Sequence, residues 1–119
     1  MPPPEFIRYC YSATVLRVVD GDTLDLALDL GFRIVSTQRC RLRGINAPEA
    51  RGPRASPEGA AAHAHLAFIL TVGCEVLVRT HRDLDDKYGR LLADVWTEGA
   101  ADSVSERMLG AGHAVAYLS

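Results

Sequence analysis

Cysteines are too few and too scattered to organise this chain. Cys10, Cys40 and Cys74 are odd in number, widely spaced and without a C-x-x-C pair, which argues against a disulfide framework or a zinc site. An excess of positive charge is also missing: 13 Lys and Arg stand against 15 Asp and Glu, a formal net charge of −2. A protein built to coat duplex DNA is usually basic, so that role is disfavoured. An enzyme that needs only local positive charge and must release its product is not excluded. No apolar run approaches the length of a membrane span, and no membrane partner is expected. The opening residues Met1-Pro2-Pro3-Pro4-Glu5 carry no basic region followed by an apolar stretch. No secretory leader is read there, and a cytoplasmic location is the expectation unless a leader has been removed. Internal repeats are absent as well.

What is present fits one domain over residues 1–119, long enough for a single core without staples. Residues 6–20 are rich in aromatic and β-branched side chains and predict one long strand. Asp20-Gly21 is a hairpin turn signal. Leu24, Leu26, Leu28 and Leu30 then alternate with Asp25, Ala27 and Asp29 as a half-buried second strand, interrupted by Gly31. Residues 33–45 resume strand character, with Arg39, Arg41 and Arg43 on one side and Cys40 and Leu42 on the other. Ser56-Pro57-Glu58 predicts a helix start, running to about Leu70 with Ala62, Leu66 and Ile69 or Leu70 on one face. Residues Glu75–His81 and Arg90–Thr97 read as strands four and five. Ser103-Val104-Ser105-Glu106 fits a capping box for a short second helix. Three strands, a helix, two strands and a helix suggest an α+β fold, mainly β, compatible with a five-stranded OB-type barrel with two helices.

The charge is unevenly placed. Asp20 to Asp29 holds four aspartates and no basic residue, while Arg39 to Arg54 holds five arginines against Glu49 alone. Most of these charges read as solvated surface, yet an acidic pocket beside a basic strip is what a cation and a phosphate need together. Three short segments sharpen this reading: Asp20-Gly21-Asp22-Thr23, Arg41 through Asn46-Ala47-Pro48-Glu49, and Asp86-Lys87-Tyr88-Gly89-Arg90. They supply a carboxylate turn for a hard cation, an acid fit to activate water, and two arginines fit to hold a phosphate by paired hydrogen bonds. Taken singly, each has a plainer reading: a turn that uses Asp-Gly for its backbone, a strand-ending loop, a surface glutamate. The histidines make no competing site, since His63 and His65 are two apart on a helix and His81 and His113 have no partner nearby in sequence. Trp96 reads as packing.

In order and spacing the three segments resemble the active-site motifs of the staphylococcal (micrococcal) nuclease family, over about Ala13 to Tyr117. The resemblance implies a closed OB-type barrel and a calcium-dependent, sugar-nonspecific nuclease that cuts single-stranded or frayed DNA and RNA, leaving 3′-phosphate ends. It implies Arg41 and Arg90 on the phosphate and Glu49 as general base or water-positioning group. Asp22, Asn46 and the Ala47 backbone carbonyl would hold Ca2+, supported from behind by Asp20. Lys87, Tyr88 and Tyr117 would contact nucleotide; core packing is an even alternative for Tyr117. Asn46 and Ala47 stand where well-known members have aspartate and threonine, so one anionic ligand is lost and weaker metal binding follows. The loop after Glu49 is shorter, and the family's third, C-terminal helix is missing. The aromatic N-terminal segment (Phe6, Tyr9, Tyr11) or a second subunit in a homodimer would cover the surface this leaves. A non-catalytic nucleic-acid-binding barrel and, third, a protein-interaction module are the competing readings.

Overall fold

The computed structural model describes residues 8–81 and 89–117. Five strands close into a barrel in the order β1-β2-β3-β6-β5: β1 (Cys10–Asp20), β2 (Thr23–Asp29), β3 (Val35–Leu42), β5 (Glu75–His81) and β6 (Leu91–Thr97). A two-residue strand β4 (Ile45–Asn46) pairs with β7 (Val115–Ala116) outside it. Two helices, α1 (Pro57–Ile69) and α2 (Val104–Gly110), complete the described elements. The expected five-stranded barrel with two helices is therefore what this chain folds into.

Closure depends on β1, which is long enough to serve two neighbours. Its first half pairs with β5 from Cys10↔Arg79 to Thr14↔Glu75, while it pairs with β2 from Ser12↔Asp29 to Asp20↔Thr23. Register shifts between Val15 and Arg17 and between Val18 and Asp20 coil the strand around the barrel. Among the described residues the strand pairs are antiparallel except β3 with β6, where Cys40, Arg41 and Leu42 lie beside Leu91, Leu92 and Ala93. Alternation then fills the interior with Val15, Leu24, Leu26, Cys40, Leu42, Val78, Ala93 and Val95, all buried.

The helices begin where their capping residues dictate. The Ser56 hydroxyl accepts from the Gly59 N–H at 3.0 Å, with Pro57 and Glu58 in the first turn of α1. Gly59, Ala62, Leu66 and the capping Leu70 turn inward and seat α1 against β1. In α2, Ser103 and Glu106 form both bonds of the capping box, at 3.2 and 3.0 Å.

Several boundaries differ from the sequence expectation. The strand expected over 33–45 starts only at Val35, since Arg33 sits in the preceding turn with φ +64°, and it breaks after Leu42, because Gly44 takes a left-handed conformation (φ +85°) and redirects the chain into β4. The pairing of β4 with β7 was not foreseen, since two residues establish no periodicity. The first strand, expected over 6–20, begins only at Cys10: Arg8 and Tyr9 precede it, Tyr9 with φ +62°, and Phe6 lies outside the described residues.

Candidate active site

The turn between β1 and β2 is pressed under two other elements, and its composition follows from that. A Cβ on Gly21 would lie 2.7 Å from the Ala62 Cβ on α1 and 2.9 Å from the Ala47 Cβ. Gly21, Ala47 and Ala62 are thus mutually small, and the aspartates on either side reach the chain that follows β4. The Asp22 residue is only 7% exposed. Its Oδ2 accepts from the Ala47 N–H at 2.9 Å, its Oδ1 accepts from the Thr23 hydroxyl at 3.0 Å, and its carbonyl accepts from the Leu42 N–H at 2.8 Å. Asp20 Oδ1 accepts from the Ala50 N–H at 3.0 Å. The two carboxylates therefore clamp both ends of the Ala47-Pro48-Glu49-Ala50 segment.

Glu49 is held by its backbone and open at its side chain. Its carbonyl accepts from the Ser56 N–H at 3.2 Å and presses on the first turn of α1, where a Cβ on Gly59 would fall 1.8 Å from that oxygen. The side chain is exposed. A carboxylate in water on an anchored backbone has the freedom of a proton acceptor and a fixed place from which to act.

Arg41 lies on β3 opposite Thr23, next to the turn. One Nη donates to the Ile45 carbonyl at 2.9 Å and reaches Asn46 Oδ1 at 3.5 Å, while the guanidinium carbon lies 4.7 Å from the centre of the Tyr117 ring. Tyr117 comes there through β7 and through its N–H, which donates to the Gly44 carbonyl at 2.9 Å. Asn46 is exposed on β4 across from Val115. Arg90 is half-buried immediately before β6, whose first residues run beside Cys40 and Arg41. The fold thus gathers Asp20, Asp22, Arg41, Asn46, Ala47, Glu49 and Tyr117 at one end of the barrel, with Arg90 one strand away. Lys87 and Tyr88 lie outside the described residues.

The donor chemistry permits a hard cation and discourages a soft one. Asp22 brings a carboxylate, Asn46 an amide oxygen and Ala47 a carbonyl, all oxygen donors and only one of them charged. Among the described residues no three His, Cys, Asp or Glu side chains converge on one point. A group relying on an amide and a main-chain carbonyl suits a hard cation rather than a transition-metal centre.

Several contacts had no signal in the sequence because they join residues far apart in the chain. His81 Nε2 lies 2.7 Å from Asp94 Oδ2, and Arg43 Nε lies 3.3 Å from both Asp94 oxygens, tying β5, β6 and the end of β3 together. His65 and His113 stack with ring centres 4.6 Å apart, joining α1 to the segment that leads to Tyr117. Arg39 pairs with Asp25 at 2.8 and 3.1 Å on the outside of the barrel, and this bond holds the Asp25 carboxyl below its ordinary range.

Known proteins share this pattern. The family model described as "Staphylococcal nuclease homologue" matches residues 39–119. Endonuclease YhcR of Bacillus subtilis (strain 168) is 30% identical over 124 aligned residues, covering 98% of this chain and 10% of that protein. Thermonuclease of Staphylococcus intermedius is 38% identical over 87 residues, covering 71% of this chain and 48% of that one. The chain thus spans about a tenth of one relative and about half of the other. With a family match that takes in Arg41, Asn46, Ala47, Glu49, Arg90 and Tyr117, and a closed barrel that carries them, this chain belongs to the staphylococcal nuclease homologue family.

Proposed function

We propose that the chain hydrolyses phosphodiester bonds of single-stranded or frayed DNA and RNA without regard to the sugar, with calcium as its metal. The observation that carries this reading is the double clamp by Asp20 and Asp22, which holds the Ala47–Ala50 segment that bears Glu49, directly after Asn46, whose side chain meets Arg41. Asp22, Asn46 and the Ala47 carbonyl would hold the cation. Bound there, calcium supplies Lewis acidity toward a phosphoryl oxygen. Glu49 takes the proton of a water whose oxygen bonds to phosphorus in line with the departing 5′ oxygen. The P–O5′ bond breaks, the 5′ oxygen gains a proton, and the phosphate stays on the 3′ end. Arg41 and Arg90 neutralise charge that builds on the phosphoryl oxygens as the bond breaks. Arg41 already spends one N–H on the Ile45 carbonyl, which orients the rest of its guanidinium. Tyr117 packs against the opposite face and offers an edge to a base or sugar, while Lys87 and Tyr88 are assigned to the same nucleotide.

A cleavage assay on single-stranded DNA and RNA, with calcium or with chelator, tests this. Calcium-dependent scission of both polymers supports the reading. Binding without scission favours a binding barrel, in which the uncharged Asn46 marks lost metal chemistry. Neither binding nor scission leaves an interaction module.

A further inference from the structure

The hairpin joining β2 to β3 has a tip that its own backbone does not favour. The Ile34 N–H donates to the Gly31 carbonyl and the Leu30 N–H to the Ile34 carbonyl, both at 2.9 Å, leaving Phe32 and Arg33 as the central pair of the turn. Both are left-handed, with φ +55° and +64°. Tight hairpins that need two such residues normally use Asn-Gly or Asp-Gly, because a Cβ in this conformation is strained. Here the two positions hold an aromatic and an arginine, and Phe32 is 96% exposed. Leu30, Ile34 and Val35 behind it are 42%, 53% and 62% exposed. Strain spent on displaying apolar side chains marks a site of use rather than of packing.

We propose that this tip docks the protein on a lipid bilayer carrying anionic headgroups. The shape favours a bilayer over a second copy. The apolar side chains at the tip present on the order of 450 Å², about half of what each partner buries in an ordinary stable interface, and they stand at the end of a hairpin rather than on a sheet face. The chemistry is graded as a bilayer is. Phe32 stands at the apex with aliphatic side chains behind it, and the Arg33 stem can lie along the apolar region with its guanidinium at lipid phosphates. The nearby carboxylate of Asp29 accepts from the Gly31 N–H at 2.9 Å, so the turn's own backbone partly offsets its charge. Exposed Tyr9, at the same end of the barrel, suits the headgroup boundary. The absence of a membrane span in the sequence bears on crossing a bilayer, not on resting at its surface. Strand β2, roughly 20 Å long at about 3.3 Å per residue, separates the tip from Asp22, so a docked molecule turns its candidate active site toward solution.

The test is the double variant Phe32→Asn, Arg33→Gly, which installs the preferred turn pair and removes the tip's chemistry. It should fold, with Tm raised on the order of 5 °C. In flotation with vesicles of phosphatidylcholine and phosphatidylglycerol the parent should bind about tenfold or more better than the variant, and better than it binds phosphatidylcholine alone. A parent that stays unbound on both vesicles, or a variant that floats as well as the parent, overturns the proposal. Light scattering that shows a dimeric parent and a monomeric variant, with no vesicle binding, overturns it in favour of self-association.

Discussion

Glu49, Arg41 and Arg90 are the side chains on which the proposed chemistry rests, and each separates activity from stability in its own way. Changing any one to Ala should lower turnover on the order of a hundredfold, through loss of a base or of charge at the transition state. Glu49→Ala should leave Tm unchanged, because that side chain is exposed. Arg41→Ala should also cost about 1 kcal/mol of stability, since it abandons the Ile45 carbonyl and the Tyr117 ring. Kinetics and melts on the three variants check both statements. Asn46→Asp should shift the calcium midpoint of activity to lower concentration by restoring an anionic ligand. Equal midpoints in a calcium titration of parent and variant would remove Asn46 from the metal shell. The linear motifs were legible because each is short and ordered along the chain. The Asp20–Ala50 and Asp22–Ala47 clamps were not, because a carboxylate that holds a remote backbone N–H looks in sequence like any acidic turn.

At the scale of elements, the first turn of α1 acts as a wall behind Glu49. Gly59→Ala would drive a methyl group into the Glu49 carbonyl, so the chain after β4 must shift. The expected loss is about 1–3 kcal/mol, typical of overpacking, with turnover falling because Glu49 moves. Gly110→Ala in α2 is the natural control. Nothing lies within 4 Å of a Cβ there, so it should raise stability by about 0.4–1 kcal/mol and leave activity alone. Both helix starts were readable from capping residues, and the Glu75–His81 strand was expected with the bounds it has, since these signals act within a few residues. The break at Gly44 and the β4–β7 pair escaped because nothing in a two-residue strand states its partner. They nevertheless deliver Tyr117 to Arg41, a contact within the candidate site hidden in the least regular part of the fold.

For the whole molecule, the barrel interior sets a limit on alkaline stability. Burial pushes the Cys40 thiol up to about 12 from an ordinary value near 9.0, with the Asp25 charge adding to it. A folded pKa raised above the unfolded one favours the protonated thiol in the fold. That contribution is complete below about pH 9 and is lost as pH rises through about 12. Melts across this window should fall faster for the parent than for Cys40→Ala, measured relative to each protein's stability at neutral pH. The N-terminal strand gives a second global test. Trimming residues 1–11 removes Cys10↔Arg79 and Tyr11↔Val78, two of the five β1–β5 pairs that close the barrel. A substantial drop in Tm or aggregation is expected, and an unchanged Tm and mass would show that closure does not need them. The barrel, its helices and its family were readable from the chain; what metal and polymer it uses rests on chemistry. The most direct measurement is cleavage of single-stranded DNA by the parent and by Glu49→Ala, with calcium and with chelator, followed by end-group analysis. Calcium-dependent scission leaving 3′-phosphates, reduced about a hundredfold in the variant, is the expected result. Scission that survives the chelator, or proceeds equally in Glu49→Ala, would contradict it.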